Sequence, residues 1–153
     1  MSFSGRTSTV VDQTIENNGF WPDLSLAEYQ KAYRLPGEYL GETLVTQLTI
    51  AMAEVNEDLR VLQGRWQGLG MQSVATADPL LLPERKFKVE LYKRAVYCRA
   101  KSTALTDFAT VSRREVAENT GKEAPERAET FLAFSQSAIR ALQGRGRITV
   151  ALA

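Results

Sequence analysis

The chain has 153 residues, of which 44% are hydrophobic and 24% charged, values typical of one globular domain. Its 19 Lys and Arg against 18 Asp and Glu give a net charge of +1, so any contact with nucleic acid or anionic lipid must come from a local patch. The absence of His excludes Ser-His-Asp and Cys-His catalysis and the usual zinc sites. A single Cys excludes an internal disulfide. No apolar run approaches the roughly 20 residues that span a bilayer.

The N-terminal segment lacks the pattern of a regular element. Residues 1–19 are rich in Ser, Thr, Asn and Asp without a sustained apolar period, which predicts a flexible arm that lacks the apolar stretch of a signal peptide. Thr9–Val11 is a short candidate strand within it. Phe20, Trp21 and Pro22 follow, and because two adjacent aromatics bury a large area while proline blocks helix in the residue before it, we expect an extended anchor that fixes the arm onto the body.

Two helices are predicted next. The first covers Leu26–Arg34, where Ser25 and Glu28 have the spacing of a capping box and Pro36-Gly37 ends the helix. The second runs from Glu42 to Gln67 as one rod of roughly 39 Å. Its apolar stripe has spacings of three and four residues and consists of Leu44, Leu48, Met52, Val55, Leu59, Leu62 and Trp66.

Two more helices follow a loop at Met71–Pro83, whose Leu80-Leu81-Leu82 is expected to plug one end of the core. The third helix is predicted over Glu84–Val111, with a buried stripe of Phe87, Leu91, Ala95, Cys98, Ser102, Leu105 and Phe108. Its small residues suit close helix packing, and Cys98 is interpreted as a small buried hydrophobe. The fourth helix starts near Pro125, ends at Gly144 and buries Ala128, Phe131, Leu132, Ser135, Ile139 and Leu142.

The expected fold is therefore all-α: a four-helix body over 20–146, with two long antiparallel helices and two shorter ones, an extended N-terminal arm over 1–19 and a C-terminal strand over 147–153. The strand pattern is carried by Arg147, Ile148, Thr149, Val150, Ala151 and Leu152. A single strand cannot satisfy its own backbone groups, so we expect this strand to pair with another subunit or with a partner protein.

The third helix carries the clearest charge asymmetry in the chain. Residues 84–101 hold two acidic and seven basic residues, which are Arg85, Lys86, Lys88, Lys93, Arg94, Arg99 and Lys101. The first six of them suit contact between subunits in a closed ring or contact with DNA in a channel. An intramolecular salt network or a merely solvated surface explains them equally well.

The sequence offers little support for a catalytic, metal-binding or phosphate-binding site. Glu54, Glu57 and Asp58 have a spacing that could hold Mg²⁺ or flank a glycosidic bond, although a solvated helix face accounts for them. The glycines at 64–70 and 144–146 lack the strand-then-helix setting of a phosphate loop. We therefore expect no cofactor, no metal and no enzymatic activity.

Four segments, taken in order, resemble the head completion protein L family of contractile-tailed phages. They are Phe20–Asp23, Met52–Leu59, Leu91–Cys98 and Thr120–Lys122, and the similarity runs from about residue 20 to the C-terminus. The resemblance implies a virion protein of the head–tail neck, assembled in the host cytoplasm. A ring of about twelve copies would form beneath the portal after DNA packaging, extend the DNA channel, help retain the genome and offer a platform to a tail-side neck or tail-terminator protein.

Two other classes stay open from the residues alone. A small helical nucleic-acid-binding protein would use the basic helix over 84–101, although balanced total charge disfavours this class. A carboxylate-based hydrolase would need Glu54 and Glu57 to converge in a cleft.

Overall fold

The computed structural model describes residues 12–35, 40–111 and 127–145. These residues form a mostly helical protein with a small two-stranded antiparallel sheet, in which Thr14 lies opposite Ser25 and Ile15 opposite Leu24. The elements in chain order are β1 (Thr14–Ile15), β2 (Leu24–Ser25), α1 (Leu26–Ala32), α2 (Gly41–Asp58), α3 (Arg60–Gly68), α4 (Arg85–Val111) and α5 (Ala128–Leu142).

The start of α1 follows half of the predicted capping box. The Ser25 Oγ accepts a hydrogen bond from the Glu28 backbone N–H at 3.1 Å, which satisfies one of the free donors of the first turn. The Glu28 carboxylate does not return this bond. The Glu28 carboxylate instead accepts a hydrogen bond from the Tyr97 hydroxyl at 2.8 Å and forms an ion pair with Lys93 at 3.2 Å. Glu28 therefore connects α1 to α4.

The predicted rod over 42–67 is two helices, and the prediction of one straight helix is wrong. The chain bends at Leu59, whose φ of −98° and ψ of 6° lie outside helical values, while Leu59 N and Gln63 N still donate to the carbonyls four residues earlier. After the bend, the centre of the Trp66 ring lies 5.8 Å from the centre of the Trp21 ring and 6.4 Å from the centre of the Phe20 ring. The residues of the apolar stripe are therefore divided at Leu59 between α2 and α3, and their spacing does not reveal the bend.

Helix α4 lies between two antiparallel neighbours. Gln47 and Asn56 of α2 bond to Asp107 and Tyr92 of α4, while α5 packs closely along the same helix. Ala95 and Ser135 are fully buried where α4 and α5 meet, and the Ser135 Oγ donates to the Ala95 carbonyl at 2.6 Å. The predicted close approach through small residues is thus present.

The predicted core positions Phe87, Leu80 and Leu81 are exposed, and the expectations for them are wrong. Phe87 is 57% exposed because it lies one turn before Leu91, near which α5 has already ended. Leu80 is 90% and Leu81 45% exposed, whereas Leu82 is buried. The turn at Asp78, whose carbonyl accepts from Leu81 N and Leu82 N, directs only the last of the three leucines into the core.

The buried face of α5 also differs in part from expectation. Ala128 and Phe131 are half-buried and Leu132 is exposed, while Ala138 joins Ser135, Ile139 and Leu142 inside. Gly144 ends the helix with a φ of +75°, a value that favours glycine. The predicted start near Pro125 and the candidate strand at Thr9–Val11 lie outside the described residues.

The predicted flexible arm is too long at its C-terminal end. Its described part, 12–19, packs on the body: Ile15 is buried in the core, and the side chains of Asn17 and Asn18 bond to Tyr92 and Gln63. Polar composition suggested disorder, but these two asparagines use their polarity to bond the segment to α3 and α4. Residues before Asp12 lie outside the described part.

Candidate interaction surfaces

The anchor is buried among aromatic rings. Phe20 and Trp21 are each 2% exposed, with Pro22 half-buried beside them. The Trp21 ring stacks on Tyr92 at 4.8 Å with an interplanar angle of 3°, and Phe20 meets Trp21 edge-on at 5.1 Å. The anchor is therefore part of the core between the N-terminal segment and α4, and it offers no surface for binding.

Tyr92 belongs to a closed polar triangle that sequence reasoning missed. Its hydroxyl accepts from Asn17 Nδ2 at 2.8 Å and donates to Asn56 Oδ1 at 2.5 Å, while Asn56 Nδ2 donates to Asn17 Oδ1 at 2.9 Å. Asn56 and Tyr92 lie in two of the four segments that carried the family resemblance, Met52–Leu59 and Leu91–Cys98, so these two segments meet at a structural junction.

Most of the predicted basic patch is engaged inside the chain. Arg85 Nη1 donates to the Ala77 carbonyl at 2.8 Å, Lys93 pairs with Glu28, and Arg99 pairs with Asp58 at 3.1 Å. Arg94 stands over the Phe134 ring at 4.8 Å. The intramolecular network thus accounts for four of the six residues, and Lys86 is exposed and Lys88 half-buried at the start of α4.

Lys101, the seventh basic residue, is 2% exposed. Its ammonium donates to the Tyr33 carbonyl and lies 4.6 Å from the centre of the Phe131 ring. A lysine three residues after a buried cysteine lies on the inner face of α4, and that spacing was the available indication of its burial.

A groove of about 690 Å³ runs between α4 and the C-terminal half of α5. Its lining combines apolar side chains with three arginines: Leu91, Arg94, Ala133, Phe134, Gln136, Ser137, Ala138, Arg140, Ala141 and Arg145. No carboxylate occurs among these described lining residues. We call this surface the arginine groove; of the six predicted charge residues, only Arg94 contributes to it.

Helix α2 presents the opposite charge. Residues 41–58 contain no Lys or Arg, and one side of α2 exposes Ile50, Ala53, Glu54 and Glu57. Ile50 is 55% exposed, and Glu57 pairs only with exposed Arg60 at 3.3 Å among the ion pairs of the described residues. We call Ile50, Ala53, Glu54 and Glu57 the acidic ridge.

The structure also places the candidates for chemistry. Within 12–35, 40–111 and 127–145, no group of three or more Cys, Asp or Glu is arranged to hold a metal ion. None of the described helices has the length and hydropathy needed to cross a membrane.

Burial raises the pKa of the Cys98 thiol and, mainly through desolvation, that of three tyrosine hydroxyls: Tyr33, Tyr92 and Tyr97.

Comparison with known proteins decides the family. The model of the family described as "Phage head completion protein (GPL)" matches residues 15–153. The chain belongs to this phage head completion protein family. It is also 33% identical over 148 residues to the "Probable head completion/stabilization protein" of Haemophilus phage HP1 (strain HP1c1), a match that covers 97% of each chain. No solved structure matches the chain significantly.

Family membership makes the chain a head completion protein, a structural component of the phage virion. The family match begins at Ile15, five residues before the resemblance noted from the sequence, and so includes the packed N-terminal segment. Both the arginine groove and the acidic ridge lie inside the matched residues. The predicted strand Arg147–Leu152 lies outside the described residues but inside the matched ones.

Proposed function

We propose that this protein is a non-enzymatic adaptor of the head–tail neck. After DNA packaging, about twelve copies form a ring under the portal, extend the DNA channel, help retain the genome and provide the docking platform for a tail-side neck or tail-terminator protein. Membership of the head completion family over residues 15–153 carries this proposal. The word "stabilization" in the name of the HP1 relative supports a role in retaining packaged DNA.

The attachment to the portal is assigned to the C-terminal strand. Arg147–Leu152 alternates as a half-buried strand does, and pairing with an exposed sheet edge of the portal, or of a neighbouring subunit, uses main-chain hydrogen bonds with little demand on side chains. This segment follows the last described residue, Arg145, so its deletion removes no residue of the described helices.

Deletion of 147–153 tests this assignment. We expect the helical circular dichroism to be unchanged and attachment to DNA-filled heads to be lost. Val150→Pro, which removes one strand donor, is expected to weaken attachment as well, whereas Val150→Thr keeps the preference for strand and is the matched control. Normal attachment of the deleted protein would contradict the proposal.

A second candidate, nucleic-acid binding by the helix over 84–101, is favoured by Lys86 and Lys88 alone. Because Arg85, Lys93 and Arg99 are held by contacts within the chain, little positive charge is free to meet phosphates. A salt-dependent mobility shift of a DNA duplex by the purified protein, abolished by Lys86→Glu with Lys88→Glu, would establish this function. No shift at low salt would exclude it.

A further inference from the structure

Helix α5 has an exposed face without charge. Between Glu129 and Arg140 the helix carries no charged residue, although the side chains of Leu132 and Phe134 are each 38% exposed. A surface helix ordinarily carries charged or polar residues on the side that faces water, and a helix that is apolar on all sides is buried. The outer face of α5, which forms one wall of the arginine groove, therefore has the composition of a covered surface.

The last described residue of the chain lies at this groove. Gly144, with a φ of +75°, turns the chain out of the helical path, and the Arg145 N–H donates to the Arg140 carbonyl at 2.8 Å, as in a Schellman cap. Arg145 thereby stays beside the last turn of α5 and itself lines the groove. The residues that follow Arg145 therefore start at the C-terminal end of the groove.

The segment 147–152 has a pattern that fits an apolar groove. Successive side chains of a strand point to opposite faces, so its three large apolar residues share one face: Ile148, Val150 and Leu152. Arg147 and Thr149 belong to the opposite face. The segment 112–126, which also lies outside the described residues, is rich in charge and precedes the opposite end of α5. Position in the chain and composition both favour 147–152 as the cover of the groove.

The lengths of the segment and of the groove agree. From Phe134 to Arg145 the chain of α5 advances roughly 17 Å at about 1.5 Å per residue, and five residues of extended chain after Arg145 cover about the same distance. A strand that runs back along α5 would bring Ile148 level with Ala138 and Val150 level with Phe134. The small Ala138 leaves room for a branched side chain, and the exposed Phe134 ring offers an apolar contact.

We propose that residues 147–152 lie in the arginine groove of their own chain, with Ile148 and Val150 against α5. Because side chains rather than main-chain groups make these contacts, the main-chain edge of the strand stays available for pairing with another strand. The docking itself concerns the single subunit and goes beyond the proposed function. Its use in presenting the strand to the portal rests on that function.

Cysteine pairs in the purified full-length protein test the docking. Ser137→Cys, at an exposed position on the α5 wall, is combined in turn with Ile148→Cys, Thr149→Cys and Val150→Cys in a glutathione redox buffer. We expect disulfides within one molecule to form at least about tenfold more readily at 148 and 150 than at 149, because docking raises the effective concentration of the inward-facing positions. Cys98 is fully buried, so the protein that carries Ser137→Cys alone is the control.

Two other outcomes of the cysteine experiment would overturn the proposal. Equal linkage at all three positions of the segment would show that the segment does not dock. Disulfides that join two molecules, with a yield that rises with protein concentration, would place the segment in the groove of a second copy. Only a pattern that alternates along the segment and is independent of protein concentration supports docking within the chain.

Substitutions on the two faces of the strand give an independent test without disulfides. Val150→Asp places a charge against Phe134 and should free the groove, so the fluorescence of the apolar dye anilinonaphthalene sulfonate should rise as much as after deletion of 147–153. Thr149→Asp adds the same charge on the opposite face of the strand and should leave the fluorescence at the level of the unchanged protein. No rise after the deletion, or equal effects of the two substitutions, would contradict the proposal.

Attachment to DNA-filled heads separates this inference from the proposed function. If the full-length protein docks its segment in both tests, yet the protein without 147–153 still attaches normally, the portal role is wrong and the docking stands. If neither test shows docking, yet deletion abolishes attachment, the docking is wrong and the proposed function stands.

Discussion

Replacement of Tyr92 by Phe tests how the N-terminal segment is held on the body. The hydroxyl of Tyr92 makes two hydrogen bonds, one from Asn17 and one to Asn56, and Tyr92 is fully buried. Phenylalanine keeps the ring that stacks on Trp21. The variant therefore removes the two polar contacts and leaves the packing in place.

The expected loss of stability follows from what the two asparagines retain. Asn17 still donates to the Pro22 carbonyl and Asn56 still donates to Asn17, but Asn56 Oδ1 loses its bond from Tyr92 in a part-buried site. With about 1 kcal/mol for each net hydrogen bond and a further cost for a buried acceptor left unsatisfied, we expect a loss of about 2 kcal/mol. For a chain of this size that lowers Tm by about 4 to 8 °C.

Urea denaturation followed by circular dichroism and by tryptophan fluorescence gives the measurement. The midpoint should fall with an unchanged m-value, since the surface exposed on unfolding is the same. Tyr33→Phe is the matched control: its hydroxyl accepts only a long contact from Cys98 at 3.8 Å among the hydrogen bonds of the described residues, and its effect should stay within about 0.5 kcal/mol. A Tyr92→Phe effect as small as that of the control would refute the structural role of the triangle.

Three further predictions follow from single contacts. Ser25→Ala removes the N-cap of α1 and should cost about 1 kcal/mol, whereas Ser25→Thr keeps the capping hydroxyl and should cost less, as chemical denaturation will show. Ser135→Leu inserts a large side chain where α4 and α5 are closest and should destabilise the protein by about 1–3 kcal/mol or more; Ser137→Leu, on the exposed side of the same helix, should not. Three tyrosines have a raised pKa in the folded protein, so stability should fall above pH ~10, where the unfolded chain loses protons that the folded chain keeps. The expected decrease in the free energy of unfolding is up to about 1.4 kcal/mol per pH unit for each tyrosine. Ultraviolet absorbance should show their ionisation only as the protein unfolds.

The helices were predictable because their patterns are local. The start of α1 at Leu26 follows from Ser25 and its spacing to Glu28, and the end of α5 follows from Gly144. The length of α4 follows from an apolar period sustained over seven turns. In each case the residues that determine the structure lie within a few positions of one another, so the sequence alone contains the cause.

The bend at Leu59 and the order of residues 12–19 were not predictable in this way. An apolar stripe with spacings of three and four residues is compatible with one straight helix and with two inclined helices. Which of the two forms depends on the position of Trp21, because Trp66 packs against it in the folded protein. Asn17 lies in a segment with the composition of a disordered tail, and the partners that tie it to the helices are 39 and 75 positions away in the chain.

The basic residues of α4 show that the candidate site, too, could not be predicted from local sequence patterns. Seven positive charges within 84–101 suggested one surface, but Glu28, Asp58 and the aromatic rings of α5 draw several of them into the fold. The groove combines residues 91–94 with residues 133–145, and the ridge becomes meaningful only once α2 is known to bury its other face. The charge asymmetry of the third helix was compatible with self-association and with an intramolecular network, and the tertiary structure is needed to separate the two.

The tight packing on both sides of α4 also matters for the proposed ring. If neighbouring copies in that ring contact one another through α2 and α5, the angle between the copies is set by how these two helices are held on α4, and an angular error in one subunit is repeated at every contact around the ring. Ala95 against Ser135 fixes α5, and Tyr92 with Asn56 fixes α2. Variants that loosen either contact should therefore impair ring closure at temperatures where the single subunit is still folded, so the loss of assembly should precede the loss of helix on heating.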